Sequence, residues 1–127
     1  MVLHQLIEKK RNIENEIYEI ERSLYSKFFE SHLKYLLSLF NKKQDCLLLI
    51  YKLNEQNSIT IKDNQISLAN AVCICKILED KIDSITNLIG NHEDDNFFIL
   101  NDQRKNLISE YELLKVLILK KDLEIKV

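Results

Sequence analysis

Proline is absent from this chain and glycine occurs once, at position 90. Sandwiches, barrels and doubly wound sheets reverse direction often, and their turns usually require these two residues. Their scarcity excludes such architectures and predicts an all-α protein. The length of 127 residues suffices for one domain. With 46% apolar and 30% charged residues, the composition is that of a folded globular or coiled-coil protein and not of a disordered one.

A strong charge of either sign is also missing, because the formal net charge is -2. The basic runs Lys9-Lys10-Arg11 and Lys42-Lys43 are short and lie close to acidic residues, whereas phosphate binding requires clustered Lys and Arg. We therefore expect no nucleic-acid interface. No segment reaches the ~20 apolar residues of a membrane span, and the N-terminus has no signal-peptide core. We expect an intracellular protein, without distinguishing cytoplasm from nucleus.

Three cysteines, an odd number, are spread over apolar helical sequence at Cys46, Cys73 and Cys75. No second pair with zinc-ligand spacing accompanies them, and thiols two residues apart on a helix point about 200° apart. We predict buried free thiols that act as small apolar side chains. Neither a zinc site nor a disulfide is expected.

Residues that could carry other chemistry are few. His92 precedes Glu93, Asp94 and Asp95, but the spacing is not that of an EF-hand, so we predict a solvated turn and no metal site. No glycine-rich loop is present to hold a phosphate group, and no cofactor is expected. His4 and His32 lie on predicted helices without a nearby nucleophile or paired carboxylate. We predict no catalytic residue and expect that the protein is not an enzyme.

The first 56 residues read as helix with an apolar seam of coiled-coil spacing. In this seam Lys10 fills the one missing position, and the apolar members are Leu6, Ile13, Ile17, Ile20 and Leu24. A second seam of the same kind follows, formed by Phe29, Leu33, Leu36, Phe40, Leu47 and Ile50. The step of five from Leu24 to Phe29 puts the two seams out of phase, so a stutter or a bend is predicted between them. Because the second half is apolar on several faces, we predict that it lies in the middle of a bundle.

Residues 54–64 read as a polar connection in which Ile59 and Ile61 pack on the bundle end. A short strand here would have nothing to pair with. We predict that Asp63 or Asn64 caps the next helix, which ends at Gly90 in the left-handed position that closes helices. The apolar stripe of that helix is Leu68, Ala71, Cys75, Leu78, Ile82, Ile85 and Ile89. A last helix carries a stripe of Leu100, Leu107, Tyr111, Leu114, Ile118 and Ile125.

The helical blocks 29–54, 65–90 and 98–125 have nearly equal lengths of ~26 residues, or ~40 Å. Short connections make neighbouring helices antiparallel. We predict an antiparallel three-helix bundle or coiled coil over residues 29–127, with an N-terminal helical extension. Residues 1–28 would form an amphipathic coiled-coil arm continuous with the first bundle helix. The alternative is a single straight helix whose two halves are covered in turn by the later helices.

These patterns favour a non-catalytic helical subunit or adaptor of a larger intracellular complex. A seam without a spare helix to cover it indicates pairing with a partner protein or with a second copy. Tyr18, Tyr25 and His32 recur every seven residues beside the seam, and tyrosine is enriched at interface hot spots. The predicted partner-binding residues are Leu6, Ile13, Ile17, Tyr18, Ile20, Leu24 and Tyr25. Ordinary packing against the later helices explains the tyrosine row equally well.

Part of the N-terminal seam resembles the N-terminal coiled coil of the small accessory subunit of MYST-type histone acetyltransferase complexes. The residues that carry this resemblance are Leu3, Leu6, Ile13, Ile17 and the run Ile20–Tyr25. The resemblance covers about a fifth of the chain, and much of it is heptad spacing. That family continues with a glycine-, asparagine- and isoleucine-rich segment, which this sequence lacks. The resemblance implies an accessory coiled-coil subunit of a nuclear chromatin-modifying complex.

A different class of function also fits the sequence. A small helical binding module or inhibitor, such as a microbial or viral effector, would act alone and present one bundle face to a target protein. A stable monomer with an exposed apolar patch would favour this alternative.

Overall fold

The computed structural model describes residues 1–22, 29–91 and 96–127. The described residues form four helices and one small sheet. In chain order the elements are α1 (Leu3–Arg22), α2 (Phe29–Gln56), β1 (Ser58–Ile61), β2 (Asn64–Ser67), α3 (Leu68–Asn91) and α4 (Phe97–Glu124). The all-α class is therefore confirmed in broad terms. The antiparallel three-helix bundle is not confirmed.

The chain divides into two compact units. Unit 1 comprises Met1–Asn54 and Asp122–Val127, and unit 2 comprises Glu55–Lys121. This grouping differs from the predicted division into an arm of residues 1–28 and a bundle of residues 29–127. The C-terminal residues fall into unit 1 because they pair with the N-terminus.

Within unit 1, α1 and α2 lie side by side. The Tyr35 hydroxyl donates a 2.9 Å hydrogen bond to Oε2 of Glu16, and Nζ of Lys43 lies 3.5 Å from Oε2 of Glu14. In one straight helix, residues 14 and 43 would be about 44 Å apart. The straight helix considered as an alternative is thus excluded. The predicted break in phase between Leu24 and Phe29 falls largely outside the described residues.

The apolar stripe predicted on α1 is the face that the fold buries. Leu6, Ile13 and Ile17 are exposed by 4%, 7% and 6%, and Ile20 is half-buried. Lys10, at the polar position of the stripe, is half-buried and pairs with Glu14 at 3.2 Å. In place of an unpaired arm, the structure has a helix whose seam is covered within the chain.

The buried face of α2 differs from the predicted seam. Leu36, Leu39 and Cys46 are buried, and half-buried residues continue this row at heptad spacing. We call this row the inner stripe, which consists of His32, Leu36, Leu39, Lys43, Cys46, Ile50 and Leu53. Phe29, Leu33, Phe40 and Leu47, which the predicted seam included, are exposed. The prediction that α2 is buried on several sides is therefore wrong, and its seam combined residues from two neighbouring faces.

The two ends of the chain are joined by backbone hydrogen bonds. The amide of Leu3 donates to the carbonyl oxygen of Ile125 at 2.8 Å, and the amide of Val127 donates to that of Met1 at 2.9 Å. Val2 and Lys126 form an antiparallel bridge between these bonds. Leu3 and Ile125 are both buried, so the termini contribute to the core of unit 1.

Unit 2 begins with a β-hairpin that the sequence analysis did not predict. β1 and β2 pair antiparallel in the register Ser58↔Ser67 to Ile61↔Asn64, with Ile59 buried. The two turn residues, Lys62 and Asp63, have φ angles of 48° and 67°. Positive φ at both central residues defines the type I′ turn, whose twist matches that of the strands. The expectation of a connection without a paired strand is therefore wrong, because residues 64–67 are a strand that pairs with β1 and not the start of a helix.

The two ends of α3 also differ from the predicted ones. The amide of Asn70 donates a 3.0 Å hydrogen bond to Oγ of Ser67. Ser67 is therefore the N-cap, and not Asp63 or Asn64, because those two residues are used by the hairpin. Gly90 lies inside α3, which ends at Asn91, and has no positive φ. The predicted left-handed helix end at Gly90 is wrong.

α3 and α4 contact each other in unit 2. Nε of Arg104 donates a 2.9 Å hydrogen bond to Oγ1 of Thr86, whose hydroxyl donates to the carbonyl of Ile82. The predicted α3 stripe is buried at Leu68, Ala71 and Leu78 and half-buried at its other positions. On α4, Leu114 is buried, and the other members of the predicted stripe within the helix are half-buried. Both stripes are confirmed as the less exposed faces of their helices.

Candidate functional site

The predicted partner-binding residues do not form one exposed surface. Leu6, Ile13 and Ile17 are buried and Ile20 is half-buried, while Leu24 and Tyr25 lie outside the described residues. Tyr18 is 61% exposed, and the Arg22 guanidinium lies 5.6 Å from its ring centroid. Partner binding by this set stays a prediction, and of its described members Tyr18 alone is exposed.

The largest apolar row left open in unit 1 lies on α2. Five of its six members each follow a residue of the inner stripe by one position, which corresponds to about 100° around the helix, and Leu48 adjoins the fourth of these, Leu47. We call it the outer stripe, which consists of Leu33, Leu37, Phe40, Leu47, Leu48 and Tyr51. Every member is exposed, from 37% at Leu33 to 62% at Tyr51. A helix with two adjacent apolar stripes is typical of packing against two neighbours.

The middle of the outer stripe contains a shallow depression of about 420 Å³. It is lined by Phe40, Asn41, Lys43, Gln44, Leu47 and Leu48. Positions 40, 43, 44 and 47 have the spacing i, i+3, i+4 and i+7, which is that of the hole that receives one side chain of a facing helix in coiled coils. The depression is therefore shaped for a side chain from another helix.

A cluster of polar and charged groups joins the inner-stripe face of α2 to α1. Partial burial acts to raise the pKa of Glu14, but hydrogen bonds and charges from Lys10 and Lys43 outweigh it and leave that pKa below its usual range. At Tyr35 the opposite occurs, since the hydrogen bond to the Glu16 carboxylate raises the pKa of the phenol. These polar contacts accompany the buried Leu36, Leu39 and Cys46 on the face of α2 that meets α1, whereas the outer stripe is exposed.

Unit 2 contains a second candidate surface. A groove of about 200 Å³ opens between the hairpin, α3 and α4. Its lining is apolar except for Lys62 and Glu110, and the apolar residues are Ile61, Ile74, Leu78, Leu113, Leu114 and Leu117. Its size and lining suit one or two apolar side chains of a ligand.

The predicted burial of all three cysteines is correct only in part. Cys46 is buried, Cys75 is half-buried and Cys73 is exposed, and all three thiols are free. Burial, with a smaller contribution from Glu79, raises the pKa of the Cys75 thiol. Among the described residues, no three His, Cys, Asp or Glu side chains come together as a metal site would require. The predicted solvated turn at residues 92–95 lies outside the described residues.

Unit 1 contains a buried carboxyl group that the sequence analysis did not single out. Asp122, near the end of α4, is 7% exposed, and its Oδ1 has no hydrogen-bond partner among the described residues. Burial raises its pKa to about 6, although the nearby His4 acts in the opposite direction. Its burial could not be predicted from the sequence, because Asp122 lies among charged residues at a helix end.

Comparisons with known proteins assign the chain to no family. No family model, no curated protein and no solved structure matches it. Within the described ranges, none of the helices is long and apolar enough to cross a membrane.

Proposed function

We propose that this protein is a non-catalytic helical interaction protein, a subunit or adaptor of a larger intracellular complex. It would bind a partner by helix pairing through the outer stripe of α2. The observation that carries the proposal is the exposure of Leu37 and Leu47, 55% and 43%, in a row of heptad-spaced apolar side chains. Relative to the sequence-based hypothesis, the binding face moves from the α1 seam to α2, because the α1 seam is buried.

The outer stripe supplies most of the area that such a role requires. Six large side chains that are each about half exposed present on the order of 600 Å². Specific protein interfaces bury ~800 Å² per partner. At ~25 cal/mol per Å², covering this area supplies ~15 kcal/mol, against a cost of association of ~4–15 kcal/mol. Flanking polar contacts would complete the interface.

The proposal is tested by affinity purification from the native host with single substitutions. Leu37→Glu and Leu47→Glu each place a charge in the outer stripe. Ser31→Glu adds the same charge at an exposed position of α2 outside the stripe. We expect the two stripe variants to lose the partner and the Ser31→Glu variant to retain it, with equal helicity by circular dichroism. Recovery of the same partner with all three variants would refute the proposal.

A second candidate function, a stand-alone binding module, is favoured by the groove of unit 2. It would accept apolar side chains of a target protein, with Lys62 and Glu110 at its edge. Leu113→Glu would block the groove, while Glu112→Gln changes an exposed neighbour on the same helix. If the native partner is lost with Leu113→Glu but kept with Leu37→Glu and Leu47→Glu, this second function replaces the first.

A further inference from the structure

The heptad positions along the outer stripe, which leave out Leu48 at its edge, have a spacing that reads the same in both directions. With Gln44 included, the helix positions are 33, 37, 40, 44, 47 and 51, and the steps are 4-3-4-3-4. The centre of this row is residue 42, and the middle of α2 (Phe29–Gln56) lies between residues 42 and 43. Two copies of α2 laid antiparallel across this centre therefore overlap along nearly their whole length.

That overlap matches the side chains layer by layer. Leu33 comes level with Tyr51 of the second copy and Leu37 with Leu47, so four apolar layers form. Each layer pairs an a position of one copy with a d position of the other, as antiparallel coiled coils require. A two-fold axis near residue 42 makes the contact self-complementary, which is the property of a closed dimer interface.

The depression on α2 fits the same arrangement. In this register Phe40 of one copy comes level with Gln44 of the other. Phe40 thus faces the depression lined by positions 40, 43, 44 and 47, whose volume of about 420 Å³ accommodates its ring. Phe40, which projects, and Gln44, which lies in the hole that receives the second copy's Phe40, are on opposite sides of residue 42 in the same helix.

We propose that the partner of the outer stripe is a second copy of this chain, joined by antiparallel α2–α2 pairing about a two-fold axis near residue 42. This inference rests on the proposed function and names its partner. In each copy α2 then has α1 on its inner stripe and α2 of the other copy on its outer stripe. The resulting core contains four helices, two from each chain.

Sedimentation equilibrium of the purified full-length chain tests the dimer. We expect wild type and Ser31→Glu to be dimers at micromolar concentrations. Leu37→Glu and Leu47→Glu should be monomers with at least a hundredfold weaker association, since each variant buries two charges in the layers of the symmetric interface. Two variants are used so that a folding defect in one, seen by circular dichroism, does not decide the outcome. A wild-type monomer, or a dimer unaffected by both stripe variants, overturns the inference.

Cross-linking tests the direction of pairing. In a background of Cys46→Ala, Cys73→Ser and Cys75→Ser, Asn41→Cys places its thiol near that of the second copy. Glu55→Cys, at the same heptad position as Asn41, places the two thiols about 39 Å apart along the helix axis. A short bis-maleimide should therefore link Asn41→Cys and not Glu55→Cys. Links at both positions would show parallel pairing and overturn the antiparallel register.

Failure of the dimer and failure of the proposed function are distinguishable. If wild type is a monomer but Leu37→Glu and Leu47→Glu lose a partner in the native host, the function stands and that partner is a different protein. If wild type is a monomer and the stripe variants retain every partner, both proposals fail.

Discussion

The backbone amide of Leu3 donates a 2.8 Å hydrogen bond to the carbonyl oxygen of Ile125. These residues are 122 positions apart in the sequence, and both side chains are buried. The bond therefore joins the N-terminal and C-terminal segments of unit 1. The cost of ordering two chain ends, which usually remain mobile, must be offset by the apolar surface they bury.

The first prediction concerns this junction of the termini. Ile125→Ala should lower the free energy of unfolding by about 2–4 kcal/mol, because it removes buried methyl groups and leaves a cavity. Leu123→Ala, two residues earlier and 52% exposed, is the matched control and should cost less than about 0.5 kcal/mol. Urea unfolding followed by circular dichroism measures both. Equal effects at the two positions would show that the junction does not form in solution.

The second prediction concerns the buried carboxyl group of Asp122. Its pKa is raised from 3.8 to about 6 by burial, with His4 opposing the shift. The folded state therefore binds the proton more tightly than the unfolded state. The contribution of Asp122 to the free energy of unfolding should therefore fall by up to about 3 kcal/mol as the pH rises from about 4 to 6, and then level off.

Asp122→Asn removes the group that titrates. We expect the variant to gain stability relative to wild type as the pH rises from 4 to 7, measured by urea unfolding at each pH. Glu124→Gln removes the same charge at an exposed position nearby and should keep the pH dependence of wild type. A constant difference between Asp122→Asn and wild type at every pH would contradict the assignment.

The third prediction concerns the ion pair between Lys43 and Glu14, which joins α2 to α1. A double-mutant cycle with Lys43→Ala and Glu14→Ala should give a coupling free energy of about 0.5–1 kcal/mol, weaker at high salt. The pKa of Glu14 is lowered in the fold, so this coupling is fully present above pH 4.5 and is lost as the pH falls through the folded pKa. Zero coupling at neutral pH would argue against the side-by-side arrangement of the two helices.

Helical periodicity predicted much of this fold because one stripe on each helix is buried. The stripes on α1, α3 and α4 could be identified from spacing alone. On α2 two heptad rows run one residue apart, and the row from Phe29 to Ile50 mixed members of both. The row that faces α1 is the one next to which the pairs Tyr35–Glu16 and Lys43–Glu14 form. Contacts between residues so distant in sequence leave no periodic signal.

The hairpin could not be predicted for a different reason. The turn residues Lys62 and Asp63 both adopt positive φ, although Asn-Gly or Asp-Gly is the usual signal of a type I′ turn. Lys-Asp followed by Asn64 resembles a helix start instead. The strands are four residues each, too short for alternation to be recognised. Their pairing stabilises the turn against its local preference.

The fourth prediction uses this mismatch between turn and sequence. Left-handed backbone costs an L-residue roughly 1–2 kcal/mol, and glycine avoids this cost. Lys62→Asn together with Asp63→Gly creates Asn-Gly and should raise the free energy of unfolding by about 1 kcal/mol. Thermal and urea unfolding measure the change.

Thr60→Gly is the matched control, because it adds glycine to an exposed position of the same hairpin where φ is not positive. It should destabilise the protein by about 0.5–1 kcal/mol, since glycine loses more conformational freedom on folding and has no side chain to pack. The opposite signs of the two effects are the diagnostic result. If both glycine variants destabilise to the same extent, residues 62 and 63 do not form a type I′ turn in solution.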